Sequence, residues 1–158
     1  MRYKVVLASL MTLCSSVQGQ SAPQIGRQFD LLCQPYVTGS AKAAQLASRA
    51  RLFGYNNRRE DVSSNAGGEN TILHNADDSA SVSFGAVGGR PICRILLTAS
   101  ANALHADVKA WAQAHQLKLK EGGAGEEETV YASGALKVYV MEMAPEQFVV
   151  EMSLPRTP

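Results

Sequence analysis

Ser79-Ala80-Ser81-Val82-Ser83-Phe84-Gly85-Ala86-Val87-Gly88-Gly89-Arg90-Pro91-Ile92-Cys93-Arg94-Ile95-Leu96-Leu97-Thr98 reads as two strands and the turn that joins them. Ala80, Val82 and Phe84 alternate with Ser79, Ser81 and Ser83. That is the period of two that sends successive side chains to opposite faces of a strand. Gly88-Gly89 closes the unit. From 92 to 98 the apolar residues are nearly continuous (Ile92, Cys93, Ile95, Leu96, Leu97), which predicts a buried strand in the middle of a sheet.

Working towards the N-terminus, 71–75 reads as a partner strand. Asp77-Asp78 suits the hairpin turn between the two. Residues 56–70 are polar and rich in Asn, Ser and Gly, the composition of a loop. Before them, Ala43, Leu46, Ala47, Ala50 and Phe53 recur at steps of three and four, one face of a helix. Ser40 is placed to cap its start and Gly54 its left-handed end. A shorter helix is expected over 25–33, with Phe29, Leu32 and Cys33 together and Pro35 ending it.

Working towards the C-terminus, a helix over 101–116 follows a cap at Ser100 or Asn102. Its inner face holds Leu104, Val108, Trp111, Ala112 and His115. Residues 117–121 alternate as an edge strand does. A glycine turn at 122–125 leads to the acidic tip Glu126-Glu127-Glu128. Strands are expected at 129–132, 135–143 and 147–154. Leu136, Val138 and Val140 share one face, as do Phe148, Val150 and Met152. The short links favour antiparallel neighbours. The expected fold class is α+β: a mostly antiparallel sheet of about five to seven strands, two or three helices packed on one face, and one disulfide. Residues 20–158 are read as a single domain.

Residues 1–19 set the compartment. Arg2 and Lys4 precede a brief apolar run, and Val17-Gln18-Gly19 puts small residues where a signal peptidase reads. This is the pattern of a secretory leader, and the run is too short to span a bilayer. Cleavage removes Cys14, whose neighbour Leu13 is too bulky for a lipobox. Cys33 and Cys93 remain, and in an oxidising compartment they are expected to pair. Closing a loop of about 60 residues destabilises the unfolded chain by roughly 4 kcal/mol in the chain-entropy model. The expected location is periplasmic or secreted, with no stable membrane anchor, since no other segment is long and apolar enough.

The chain is 46% hydrophobic and 18% charged, a globular balance. The leader carries two basic side chains and no acid, so the remainder has a net charge of about −1. That gives no electrostatic case for nucleic acid.

The chemistry-bearing residues fall into separate clusters along the chain. His74, Asp77 and Asp78 match no metal-ligand spacing and suit a turn. Ser100, His105 and Asp107 lack a nucleophile elbow, and a helix start explains the acid. His115 falls beside Trp111 at the end of a core-facing stripe. The glycines of 85–89 precede a strand, not a helix, and so make no phosphate loop. No catalytic, cofactor or metal site is expected. Arg49, Arg51, Arg58 and Arg59 are the densest positive charge and a candidate contact for an anion or a partner. The expected function is that of a small exported, non-enzymatic module that binds a protein partner in the bacterial envelope, as inhibitors, immunity-like proteins and accessory factors do. The loops at 56–70 and 122–128 are its candidate contact surfaces. The alternative is a small-ligand-binding protein or hydrolase with a pocket between the sheet and helix 101–116. Intact-mass measurement of the native protein should find a mature chain starting at Gln20; a chain retaining Met1 would remove the basis for export.

Overall fold

The computed structural model describes residues 24–61, 70–123 and 125–154, without the side chains of 58–61 and 70. The leader, residues 1–19, lies outside the described residues. Eight strands form one sheet in the order β1-β2-β3-β4-β8-β7-β6-β5. They are β1 Asn57–Asp61, β2 Asn70–His74, β3 Ser81–Val87, β4 Arg90–Thr98, β5 Lys118–Glu121, β6 Glu128–Ser133, β7 Leu136–Ala144 and β8 Gln147–Ser153. Every neighbouring pair is antiparallel. The α+β class is as the alternation and short links indicated, and β4 is central, between β3 and β8. The sheet has one strand more than the pattern counted, because β1 pairs along β2 from within the stretch read as a loop over 56–70. Its Asn-Arg-Arg-Glu-Asp sequence carries no apolar alternation to betray it.

The helices are α1 Ile25–Gln28, a π-helical turn Phe29–Cys33, α2 Gln34–Val37, α3 Ala43–Ala50 with a 3-10 extension Arg51–Phe53, and α4 Ala101–Ala114. They cover the sheet face that presents Val82, Phe84, Cys93, Ile95, Val138, Val140, Phe148 and Val150, all buried. On the opposite face, Arg94 Nε donates to Glu151 Oε2 at 2.6 Å across the β4–β8 register.

Pro35 does not end the first helix, contrary to the sequence reading. The backbone widens ahead of it, so that Gln34 N–H bonds Phe29 C=O, five residues back. Pro35 then falls in the first turn of α2, where its missing N–H is tolerated. Ser40 does not cap α3 either. The helix starts after Lys42, whose N–H is taken by Gln45 Oε1 at 2.9 Å, while Ser40 Oγ bonds Thr38 Oγ1 at 2.6 Å. Gly54 does end that segment in the left-handed region, at φ +85°.

Three ties hold the helical layer down. Cys33 and Cys93 form a disulfide with Cα atoms 5.1 Å apart and a sequence separation of 60, joining the π turn to β4. Tyr36 OH donates to Gly85 C=O of β3 at 3.1 Å. Tyr55 OH donates to the buried Gln28 Oε1 at 2.9 Å, and burial pushes the Tyr55 hydroxyl far above its ordinary pKa. A fourth set of contacts joins α1 to α4. Asp107 Oδ2 accepts the N–H groups of Ile25 at 2.6 Å and Gly26 at 3.4 Å, giving α1 the N-terminal acceptor that it lacks locally. Trp111 packs edge-on to Phe29 with centroids 4.8 Å apart. A Cβ on Gly26 would come within 3.2 Å of the Trp111 side chain, so glycine permits this close approach. Replacing Cys93 by Ser should lower stability by about 2–5 kcal/mol, read from urea melts of the oxidised protein. A variant that melts with the wild type would show that packing alone holds the helical layer.

Candidate functional site

The residues singled out by sequence fall into separate places. His74 Nδ1 lies 3.5 Å from Asp78 Oδ1 at the β2–β3 turn. Asp77 accepts from Ser79 N–H and Ser79 Oγ–H at 3.1 and 2.7 Å, and these bonds hold its carboxyl below the ordinary carboxylate range. This cluster builds the hairpin, whose tight bend puts Asp78 at φ +58°. Among the described residues no three His, Cys, Asp or Glu side chains converge on one point. Asp107 turns to α1 and not to His105, so the Ser100, His105 and Asp107 set is not assembled. Arg49 Nη1 donates to Leu31 C=O at 3.4 Å, and Arg51 is exposed. The side chains of Arg58 and Arg59 lie outside the described residues.

Trp111 is 5% exposed, as its stripe indicated. Its Nε1–H donates to Asp30 Oδ1 at 2.7 Å, and His115 stacks on the indole at 4.1 Å. His115 Nδ1 lies 2.9 Å from Trp111 C=O. Since a carbonyl only accepts, Nδ1 carries the hydrogen. Nε2 faces the same Asp30 oxygen at 3.2 Å. This group closes the C-terminal end of α4 onto the π turn. Nothing in the sequence singled out Asp30, because its partners lie about 80 residues away.

An open concavity lies elsewhere. A groove of about 450 Å³ runs between α4 and the β5–β6 end of the sheet. One wall is the α4 face of His105, Ala106, Lys109 and Gln113, with Asn102 at its end. Leu117, Leu119 and Tyr131 form the other wall. Leu119 pairs in register with Tyr131, and Tyr131 with the core residue Val138, so Leu119 stands on the helix-covered face. It is nevertheless 52% exposed, because it lies at the end of the sheet where α4 leaves it open. Its place in the alternation over 117–121 was readable as an edge strand; the groove beside it was not.

The β5–β6 link fixes one end of the groove. Thr129, fully buried, donates Oγ1–H to Gly123 C=O at 3.0 Å. A Cβ on Gly122, at φ +70°, would strike Glu128 C=O, so a side chain here would open the hairpin. Gly123 is thus tied back to the sheet, with Glu126, Glu127 and Glu128 exposed beyond the groove.

His105 is the histidine of the groove lining. It is 7% exposed, its ring meets Phe148 edge-on at 6.2 Å, and its Nδ1 is buried without a hydrogen-bond partner. Burial pushes its pKa below the ordinary 6.5, only partly offset by the Glu142 carboxylate. Tyr131 beside it has its hydroxyl pushed up by the same burial. Compared with protein-family models, curated proteins and solved structures, the chain matches none.

His105 also makes stability depend on pH. The folded state favours the neutral ring, so the unfolded chain takes up the proton first as pH falls. Its contribution is complete above about pH 6.5 and declines as pH falls from there towards the lower folded value. Urea melts at about pH 7.5 and about pH 5 should show a smaller acid loss for His105→Gln than for wild type. Equal losses would mean that the buried ring is not titrating out of step with the unfolded chain.

Proposed function

We propose that this chain is a small exported binding module of the bacterial envelope, non-enzymatic, which recognises a protein partner through the α4/β5–β6 groove. The observation that carries the reading is the groove itself: a concave surface with exposed Leu119 on one wall and a row of helix side chains on the other. Concave sites with apolar walls and a few polar groups are where proteins bind ligands and partner segments. The disulfide and the absence, among the described residues, of any helix long and apolar enough to cross a membrane are compatible with an exported protein. A leader at 1–19 supplies the route.

A second reading, a small-ligand-binding protein or hydrolase with its pocket between the sheet and helix 101–116, would use the same groove. It is the weaker of the two. Hydrolysis needs a base in hydrogen-bond reach of a nucleophile and an orienting group, and His105 Nδ1 has neither. His74 lies at the β2–β3 turn and His115 stacks on Trp111, both away from the groove.

The test uses the oxidised protein lacking 1–19 as bait for envelope extract, beside Ala106→Arg, which fills the groove from the exposed side of α4. A protein retained by wild type, identified, purified and then titrated calorimetrically, should bind the Ala106→Arg form at least tenfold more weakly, about 1.4 kcal/mol. Equal affinity for both forms would overturn the groove as the recognition surface.

A further inference from the structure

We infer that the outer face of α3 and its 3-10 extension docks the protein on an anionic lipid surface. Leu52 enters the headgroup layer, and Arg49 and Arg51 sit beside it on the lipid phosphates. This surface is separate from the groove, and the inference stands independently of the binding-module reading.

The first observation is the distribution of charge. The near-neutral balance of the chain conceals two opposed regions. Over 24–57 the cations are Arg27, Lys42, Arg49 and Arg51, and the one acid is Asp30, which is turned to Trp111 and His115. Over 117–154 glutamates outnumber lysines seven to three. Among the described residues none of the four cations is in an ion pair. Asp77 and Asp78, at the β2–β3 turn, face Ser79 and His74. The acidic tip is remote. α3 packs on the π turn and β2, whereas Glu126-Glu127-Glu128 leads into β6, five strand positions from β2 in the sheet order. At about 4.8 Å per strand that is roughly 24 Å, more than twice the screening length of about 8–10 Å. The tip therefore does not neutralise the helical end.

The second observation is what lies among those cations. Leu46 and Ala50 turn inwards and are fully buried. At about 100° per residue, the outward side of the helix is centred near Ser48 and Leu52, with Arg49 to one side and Arg51 to the other. Leu52 is 69% exposed, more than any other large apolar side chain among the described residues. Beside it Phe53 is half-buried, with the Arg27 guanidinium 5.9 Å above its ring. Arg49 uses one N–H on Leu31 C=O and has others free for a phosphate.

The occupant follows from this pattern. An apolar side chain in the middle of an exposed helix face, flanked by cations, is how an interfacial helix lies on a membrane. The arginine stems extend along the apolar layer while their heads stay with the phosphates, whose oxygens fit the guanidinium fork. One protruding leucine falls far short of the roughly 800 Å² per partner of a standard protein interface, but a bilayer accepts a single side chain. Each cation near an anionic surface raises partition about fivefold. The docking is therefore reversible and distinct from an anchor. The groove, at the other end of the sheet, stays accessible.

The probe is large vesicles of phosphatidylglycerol and phosphatidylcholine in equal parts, with vesicles of phosphatidylcholine alone beside them. The oxidised chain lacking 1–19 is used, so that the apolar run of the leader contributes nothing. Sedimentation should show partition to the anionic vesicles only, weakening as salt rises from about 0.05 to about 0.5 M. Arg49→Gln/Arg51→Gln should bind at least tenfold more weakly, with an unchanged urea melt. The charge-matched control Lys118→Gln/Lys137→Gln should stay within about twofold. Leu52→Trp should gain an indole emission that lipids with brominated chains quench, while the buried Trp111 of the wild type is not quenched. Equal partition to both vesicles, no partition to either, equal loss in the control, or an unquenched Leu52→Trp would each overturn the docking. Capture of acidic envelope proteins through Arg49 and Arg51, without vesicle binding, would also overturn it and assign the face to a protein. None of these outcomes bears on the groove, which the Ala106→Arg titration tests separately.

Discussion

Cys33–Cys93 joins the helical stretch 25–37 to a strand at the centre of the sheet. Most of the rest is positioned through it. Residues 25–37 form a helical stretch too short and too interrupted to be stable alone, since helices below about 12–15 residues are marginal in water. Bonded to β4, the stretch becomes a platform. Its N-terminal end offers Ile25 and Gly26 N–H groups to Asp107, and its π turn offers Asp30 to Trp111 and His115. Both contacts fix α4. That helix in turn forms one wall of the groove, so a covalent bond at the sheet centre bears on the shape of a concavity at its end.

The fold was readable where burial imposes a period. Strands β3, β4, β7 and β8 are all buried on one face and patterned accordingly. The α4 stripe predicted the buried Trp111. The pairing of Cys33 with Cys93 followed from compartment and count. The misses have local physical causes. Strand β1 is held by backbone pairing to β2, and its polar sequence leaves no alternation to detect. Pro35 was a breaker by rule, but a π turn let the chain carry it inside a helix, a change of hydrogen-bond step that no residue type announces. Ser40 had the right chemistry for a cap two residues too early.

The groove was less legible still. Its members come from α4, β5 and β6, and no spacing links Ala106 to Leu119 or Tyr131 until the hairpin brings β5 alongside. His105 sat next to the expected inner face of α4, one position from Leu104. Helical geometry alone places a residue there at the margin of the buried stripe, and its ring meets Phe148 edge-on. Asp107 looked like a residue serving its own helix and instead serves another.

Strand order has a consequence for how the chain reaches this state. Strands β1 to β4 and β5 to β8 are two meanders, each built from neighbours in sequence. Only the β4–β8 seam joins them, pairing 92–98 with 147–153. Within each meander the loops to be closed are short. Closing the seam means bringing together segments separated by α4 and the whole second meander, and loop-closure entropy rises with that separation. Topologies dominated by such distant pairings fold slowly. Until the seam closes, both β4 and β8 are unprotected edges, and each carries buried apolar residues, Cys93 and Ile95 on β4 and Phe148 and Val150 on β8. The interval before the two halves meet is therefore when this chain is most exposed to misassociation, and Cys93 lies on one of the two unprotected edges.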